Sequence, residues 1–193
     1  MKILTIGAFA VATLAASSAS AQQATVSNPG PVLPGVCAYS PEGILTESAA
    51  GRALQARMVQ LYQEVQGELQ PYVTSLESEA QQLQQNGASL SEADRNSRIQ
   101  ALQGRDRDLQ QLQQTRSNEL RYTQAVQSNI INTAAQPIVI AVYQERGCGV
   151  LLNDTALGYI NPAMDISATV KQRLDAQLPT LSFNRMPVPA QAQ

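Results

Sequence analysis

Two cysteines and no histidine bound the chemistry this chain can do. Without an imidazole there is no His-based general acid or base, no Ser-His-Asp triad and no His ligand for a metal. No Gly-rich loop followed by Lys and Ser or Thr is present to cradle nucleotide phosphates. The acid pairs Glu77/Glu79, Glu92/Asp94 and Asp106/Asp108 stand two residues apart on helical sequence, so the members of each pair diverge. They read as solvated helix faces. The sequence therefore predicts no enzyme, no cofactor and no metal site. What remains is Cys37 and Cys148.

Their setting is an exported chain. Lys2 gives a positive start, residues 3–16 an apolar run, and Ala19-Ser20-Ala21 a small-residue cleavage pattern. This predicts a cleaved signal peptide over 1–21. The apolar run is too short for a membrane span, and no transmembrane segment is predicted elsewhere. Two cysteines outside the cytosol favour a disulfide. A bond between Cys37 and Cys148 would close a loop of roughly 110 residues, worth ~4–5 kcal/mol in the chain-entropy description. Two buried thiols, or a bond between subunits, are the alternatives.

The elements that must position these cysteines are dominated by 48–146. Leu54, Met58, Leu61, Val65, Leu69, Tyr72, Leu76, Ala80 and Leu83 recur at spacings of four, three and four. That eleven-residue repeat keeps an apolar stripe on one face of a nearly straight helix. Asn86-Gly87-Ala88-Ser89 supplies turn chemistry. Ile99, Leu102, Leu109, Leu112, Leu120, Val126, Ile130 and Ala134 then carry a second stripe. An antiparallel helical hairpin follows, its arm spanning 48–126. With Gly87 as pivot, residue i would face about residue 174 minus i. Tyr72 would then meet Leu102, Val65 Leu109, Leu61 Leu112 and Leu54 Leu120. Pro71 predicts a bend in the first helix.

The flanks form a small body over 35–47 and 127–178. Residues 36–39 read as a strand, and Gly147 and Gly149 end the long helix. Residues 150–152 and 156–160 read as two further strands, and Asp165 opens a closing helix bearing Ile166, Val170, Leu174 and Leu178. Residues 22–34 read as a disordered leader and 179–193 as a flexible tail. The fold class is mainly α with a small β part: a long coiled-coil-like hairpin projecting from a small α/β body. Such a body is marginal for one chain, so oligomerisation through its strands is expected.

Three motifs, in this order around a hairpin, resemble the OmpH or Skp-like family of periplasmic chaperones. Val36-Cys37-Ala38-Tyr39 with Ile44-Leu45-Thr46-Glu47-Ser48-Ala49-Ala50-Gly51-Arg52 is similar to its opening strand and small-residue lead into the arm. Glu145-Arg146-Gly147-Cys148-Gly149-Val150-Leu151-Leu152-Asn153 resembles its Gly-led second strand, and Asp165-Ile166-Ser167 its closing helix. Ser40 stands where the family commonly has Asp. The resemblance implies a periplasmic homotrimer whose arms enclose a cavity holding unfolded outer-membrane proteins without nucleotide.

On that reading the client-contact surface would draw on Leu61, Val65, Leu69, Tyr72, Val73, Leu76, Leu83, Leu90, Ile99 and Leu102. Lys2 and Lys171 are the only lysines and net charge is −2, so nucleic acid is not an expected partner. The near-neutral arms likewise argue against a lipopolysaccharide or anionic-lipid partner. The other function class open to a secreted hairpin is a structural spacer or adaptor in an envelope assembly. That role would concentrate recognition residues at the tip, 86–91.

Overall fold

A computed structural model describes residues 30–190. The predicted signal peptide and most of the predicted leader lie outside them. The fold begins with β1 (Val36–Tyr39) and α1 (Pro41–Glu47), from which the chain enters α2 (Ala49–Asn86) through Ser48. Ser48 is wholly buried, and its Oγ accepts the N–H of Gly51 at 3.1 Å. The next donor, the Ala49 N–H, is taken by a carboxylate oxygen of Asp175 at 2.6 Å. One hydroxyl and one anion thus satisfy two of the free donors at the positive end of this 38-residue helix. The helix runs through Pro71 without interruption, so the missing N–H there does not end it.

The reversal does not sit at Gly87. That residue keeps helical angles (φ −62, ψ −29), and a single 3-10 turn, Gly87–Ser89, carries the chain onward. The chain turns at Leu90 and Ser91, both extended (φ −84, ψ 152 and φ −60, ψ 154). Ser91 then caps α3 (Glu92–Glu145), accepting the Asp94 N–H at 3.1 Å. The later pivot corrects the predicted register. The cross-arm ion pairs Glu68–Arg116 and Glu79–Arg105 each join residues whose numbers add to 184, not 174. Leu54 therefore lies level with Ile131, Met58 with Gln127, Leu61 with Thr123 and Val65 with Leu120. All eight are buried.

Below the hairpin, α3 ends in a motif that needs glycine. Gly147 has φ +65, its N–H reaches the Gln144 carbonyl, and the Cys148 N–H reaches back to Tyr143 at 3.1 Å. This 6→1 and 5→2 pairing closes the helix and aims Cys148 at the first strand. β2 (Val150–Asn153) pairs parallel with β1, Val36 opposite Val150 and Tyr39 opposite Asn153. In the structure Cys37 and Cys148 are joined by a disulfide with their Cα atoms 5.7 Å apart.

The predicted third strand over 156–160 is absent. Asn153 Oδ1 accepts the Thr155 N–H at 3.0 Å and bends the chain into a 3-10 turn, Asp154–Ala156. The other side of β1 is met instead by one bridge, Ala38 to Asp165. The closing helix α4 (Ser167–Gln177) buries Val170 and Leu174 against α1 and α3, with Asp165 Oδ1 accepting the Ser167 N–H at 2.8 Å. A second correction concerns 179–193, read from the sequence as a flexible tail. Its described part, 179–190, folds back on the hairpin, with Leu181 and Phe183 packed on the core and the Met186 N–H bonded to Thr123 Oγ1 at 2.8 Å.

One apolar core runs from the body into the hairpin root. It includes Cys37, Ile44, Leu54, Leu61, Leu120, Ile131, Val142, Cys148, Val170 and Leu174, and it ends at Val65 and Leu120. Its tightest approach is at Gly51, where a Cβ would stand 1.8 Å from the Leu45 carbonyl oxygen. Gly51→Ala must therefore push α1 off α2. A loss of about 1–3 kcal/mol is expected, read as an earlier denaturation midpoint at unchanged slope. Reducing the Cys37–Cys148 bond should lower stability by ~4–5 kcal/mol in the same measurement. Intact-mass analysis that finds two free thiols in the native protein would refute the bond.

Candidate functional site

Burial along the arm divides it into two halves of different character. At the root, four levels of side chains are dry. Beyond them, residues 66–86 of α2 and 92–119 of α3 contain no buried side chain; Gly87 in the turn is the only buried residue above the root among those described. At 1.5 Å per residue the open stretch of α2 is about 31 Å long. Its apolar residues are left half-covered because only two helices are present to cover them.

The candidate contact residues distribute over both halves. Leu61 and Val65 are 1% and 7% exposed and belong to the seam, so they offer no surface; the true register sets them against Thr123 and Leu120. Leu69 is half-buried at the upper margin of the core. Tyr72 is 55% exposed and Ile99 37%, while Val73, Leu76, Leu83, Leu90 and Leu102 are half-buried. Tyr72 and Leu76 join Leu109, Leu112, Arg105 and Asp108 around an apolar groove of about 390 Å³. Leu83 and Leu102 line a smaller, more polar hollow of about 180 Å³ together with Glu79, Gln82 and Arg98.

Leu109 and Leu112, the far wall of the larger groove, were visible in the apolar stripe but were assigned to Val65 and Leu61 by the displaced register. Val59 and Tyr62, 57% and 48% exposed, lie outside the predicted stripe altogether. Position relative to that stripe, not apolar spacing, is what marks them.

The junction between the halves is polar. Arg116 of α3 reaches Glu68 of α2 and also Glu119 at 3.0 Å, and Arg185 from the folded-back tail reaches Glu68 at 2.9 Å and Glu119 at 3.1 Å. The hydrogen bond from Arg116 holds the Glu68 carboxyl below the ordinary glutamate range. Partial burial opposes this, and Arg185 adds to it. The same contact raises Arg116. At the tip, which is exposed apart from Gly87 and half-buried Leu90, Ser89 Oγ donates to the Asn86 carbonyl and Ser91 Oγ to Asp94.

A sequence model of the family described as OmpH: Outer membrane protein (OmpH-like) matches residues 35–174. The chain belongs to the OmpH-like family. A crystal structure of an OmpH-like protein from Caulobacter crescentus CB15, provisionally described as an outer membrane chaperone, superposes with a TM-score of 0.76. It is 32% identical, and the match covers 89% of this chain and 99% of that one. No curated protein gives a match. Membership of the OmpH-like family supports a chaperone role and fits the hairpin-on-body fold. Among the described residues no helix is long and apolar enough to cross a membrane. The family match begins at Gly35, just before β1, and stops within α4, so the tail lies beyond it.

The Glu68 cluster gives a pH dependence whose sign is set. A carboxyl held low in the folded state stabilises fully above its unfolded value, near the ordinary 4.5, and loses that contribution as pH falls through the folded value. The gap in melting temperature between the natural protein and Glu68→Gln should be widest near pH 7 and shrink below about 4.5. A gap constant from pH 7 to pH 3 would mean the cluster carries no such linkage.

Proposed function

We propose that the protein is an ATP-independent periplasmic holdase that shelters unfolded outer-membrane proteins between helical arms. The observation that carries this reading is the dry root joined to an open upper arm. A holdase must offset the exposed apolar segments of its client by many weak contacts spread over a large surface, with no nucleotide step. A rigid root with about 31 Å of half-covered apolar side chains beyond it has that form. Within the candidate set, Tyr72, Val73, Leu76, Leu83, Leu90, Ile99 and Leu102 are the ones with surface to give, and Leu109 and Leu112 join them.

The body supports a homotrimer. β2 pairs with β1 on one side only, and Val150 of β2 and Ile140 of α3 are about half exposed. A parallel pair of four-residue strands with an open edge is a small unit that other copies would complete. Three arms together would enclose what one arm leaves open. At the tip Ser89 and Ser91 spend their hydroxyl protons on their own turn rather than offering them to a folded partner, which favours the chaperone over the spacer.

The test removes the open half and keeps the root. Residues 70–115 are excised and the ends closed by a short Gly-rich turn, which leaves Glu68, Arg116 and every buried level in place. This variant should keep its helical signal and its disulfide, yet lose suppression of aggregation of a urea-diluted β-barrel protein. Intact suppression would end the cavity mechanism. Light scattering on the full chain should give three chain masses, and a strict monomer would leave no cavity to fill.

A further inference from the structure

The described end of the chain lies in a groove along the hairpin root as an extended peptide running from the body toward the tip. Arg57 of α2 donates to the Phe183 carbonyl at 3.0 Å and to Asn184 Oδ1 at 3.3 Å. Arg185 bridges Glu68 of α2 and Glu119 of α3. The Met186 N–H goes to Thr123 Oγ1, and Gln127 Nε2 approaches the Met186 sulfur at 3.8 Å. Beyond these contacts Pro187 and Val188 wall a further groove of about 590 Å³ that continues along α3 past Glu119 and Tyr122.

The helix side of this contact is suited to a peptide backbone. Thr123 and Gln127 occupy seam positions between Leu120 and Ile131, where the stripe would otherwise place apolar side chains. Thr123 is wholly buried, and its hydroxyl donates to the Glu119 carbonyl at 2.7 Å while accepting the Met186 N–H. The hydroxyl proton is spent on its own helix, so what the groove offers an incoming chain is an acceptor for a backbone N–H. The contacts to the Phe183 carbonyl and the Met186 N–H are indifferent to sequence. Phe183, packed on the core, and Arg185, between two carboxylates, supply what selectivity there is. The helix walls lie inside the family match and the tail lies outside it.

We infer that this groove is a peptide-binding site for extended segments with an aromatic residue two positions before an arginine, and that the chain's own tail is its displaceable occupant. Client segments of that chemistry enter by exchange with the tail. The identity of the competitor rests on the holdase reading above; the groove's affinity for a peptide does not.

The test supplies the tail in trans. A fluorescent peptide of residues 180–189 is titrated, by anisotropy, against the full chain, a chain ending at Leu178, and a full-length chain carrying Phe183→Ser with Arg185→Glu. Both altered chains should bind it about tenfold or more tightly than the full chain. A peptide carrying the same two substitutions should not bind, and Thr123→Val in the chain ending at Leu178 should weaken binding. The full-length double variant covers the case in which truncation harms folding. Absence of binding to either chain, with helical signal and disulfide intact, overturns the inference, as does equal binding by the full chain. Aggregation suppression is measured alongside. Peptide binding without suppression removes the holdase reading alone, and suppression without peptide binding removes this inference alone.

Discussion

Everything in this molecule depends on the register in which α2 lies against α3. Four levels of buried side chains, from Leu54 with Ile131 up to Val65 with Leu120, form the dry part of a helix pair that is otherwise wet. Truncating one such leucine typically removes 2–5 kcal/mol, so a few residues decide whether the arms stay parallel to each other. Because these levels are continuous with the core of the body, the angle at which the hairpin leaves the body is set by the same contacts. Rigidity is concentrated at the root. The open half inherits a direction from it and little else.

The electrostatics of the arm agree with that division. Its cross-helix ion pairs, Glu68–Arg116 and Glu79–Arg105, stand at the start and midway along the open half. Pairs this exposed contribute at most about 1 kcal/mol each and weaken with salt. They hold two helices side by side without drying the space between them. With acids and arginines nearly balanced, the arm also projects no strong field, so a partner is not steered to it by net charge.

Much of this architecture was legible in residue spacing. The eleven-residue apolar repeat marks the face of α2, and Gly147 marks the end of α3, because each reports a local geometric need. The pivot was not legible in the same way. Gly87 signals that a helix can stop there, yet a 3-10 turn adds three residues before the chain reverses at Leu90 and Ser91. That error moved every cross-arm partner and gave Leu109 and Leu112 the wrong neighbours. Apolar periodicity is likewise blind to Thr123 and Gln127, polar residues buried in an apolar stripe. The Pro- and Ala-containing tail reads as loose on composition alone, because the partners of Phe183 and Met186 are more than 50 residues away. Residues 156–160 failed as a strand because the side chain of Asn153 captured the backbone two residues on.

The two strands of the sheet run in the same direction and are neighbours in space, yet the whole hairpin is threaded between them. Pairing Val36 with Val150 closes a loop that contains the whole hairpin, and the doubled-back helices offset that entropic cost by returning the chain to its starting level. The sheet is thus the least local pairing in the chain, and its alignment follows from the hairpin rather than fixing it. A change in hairpin length that shifted the return level would therefore disturb the strand pairing even though it touched neither strand.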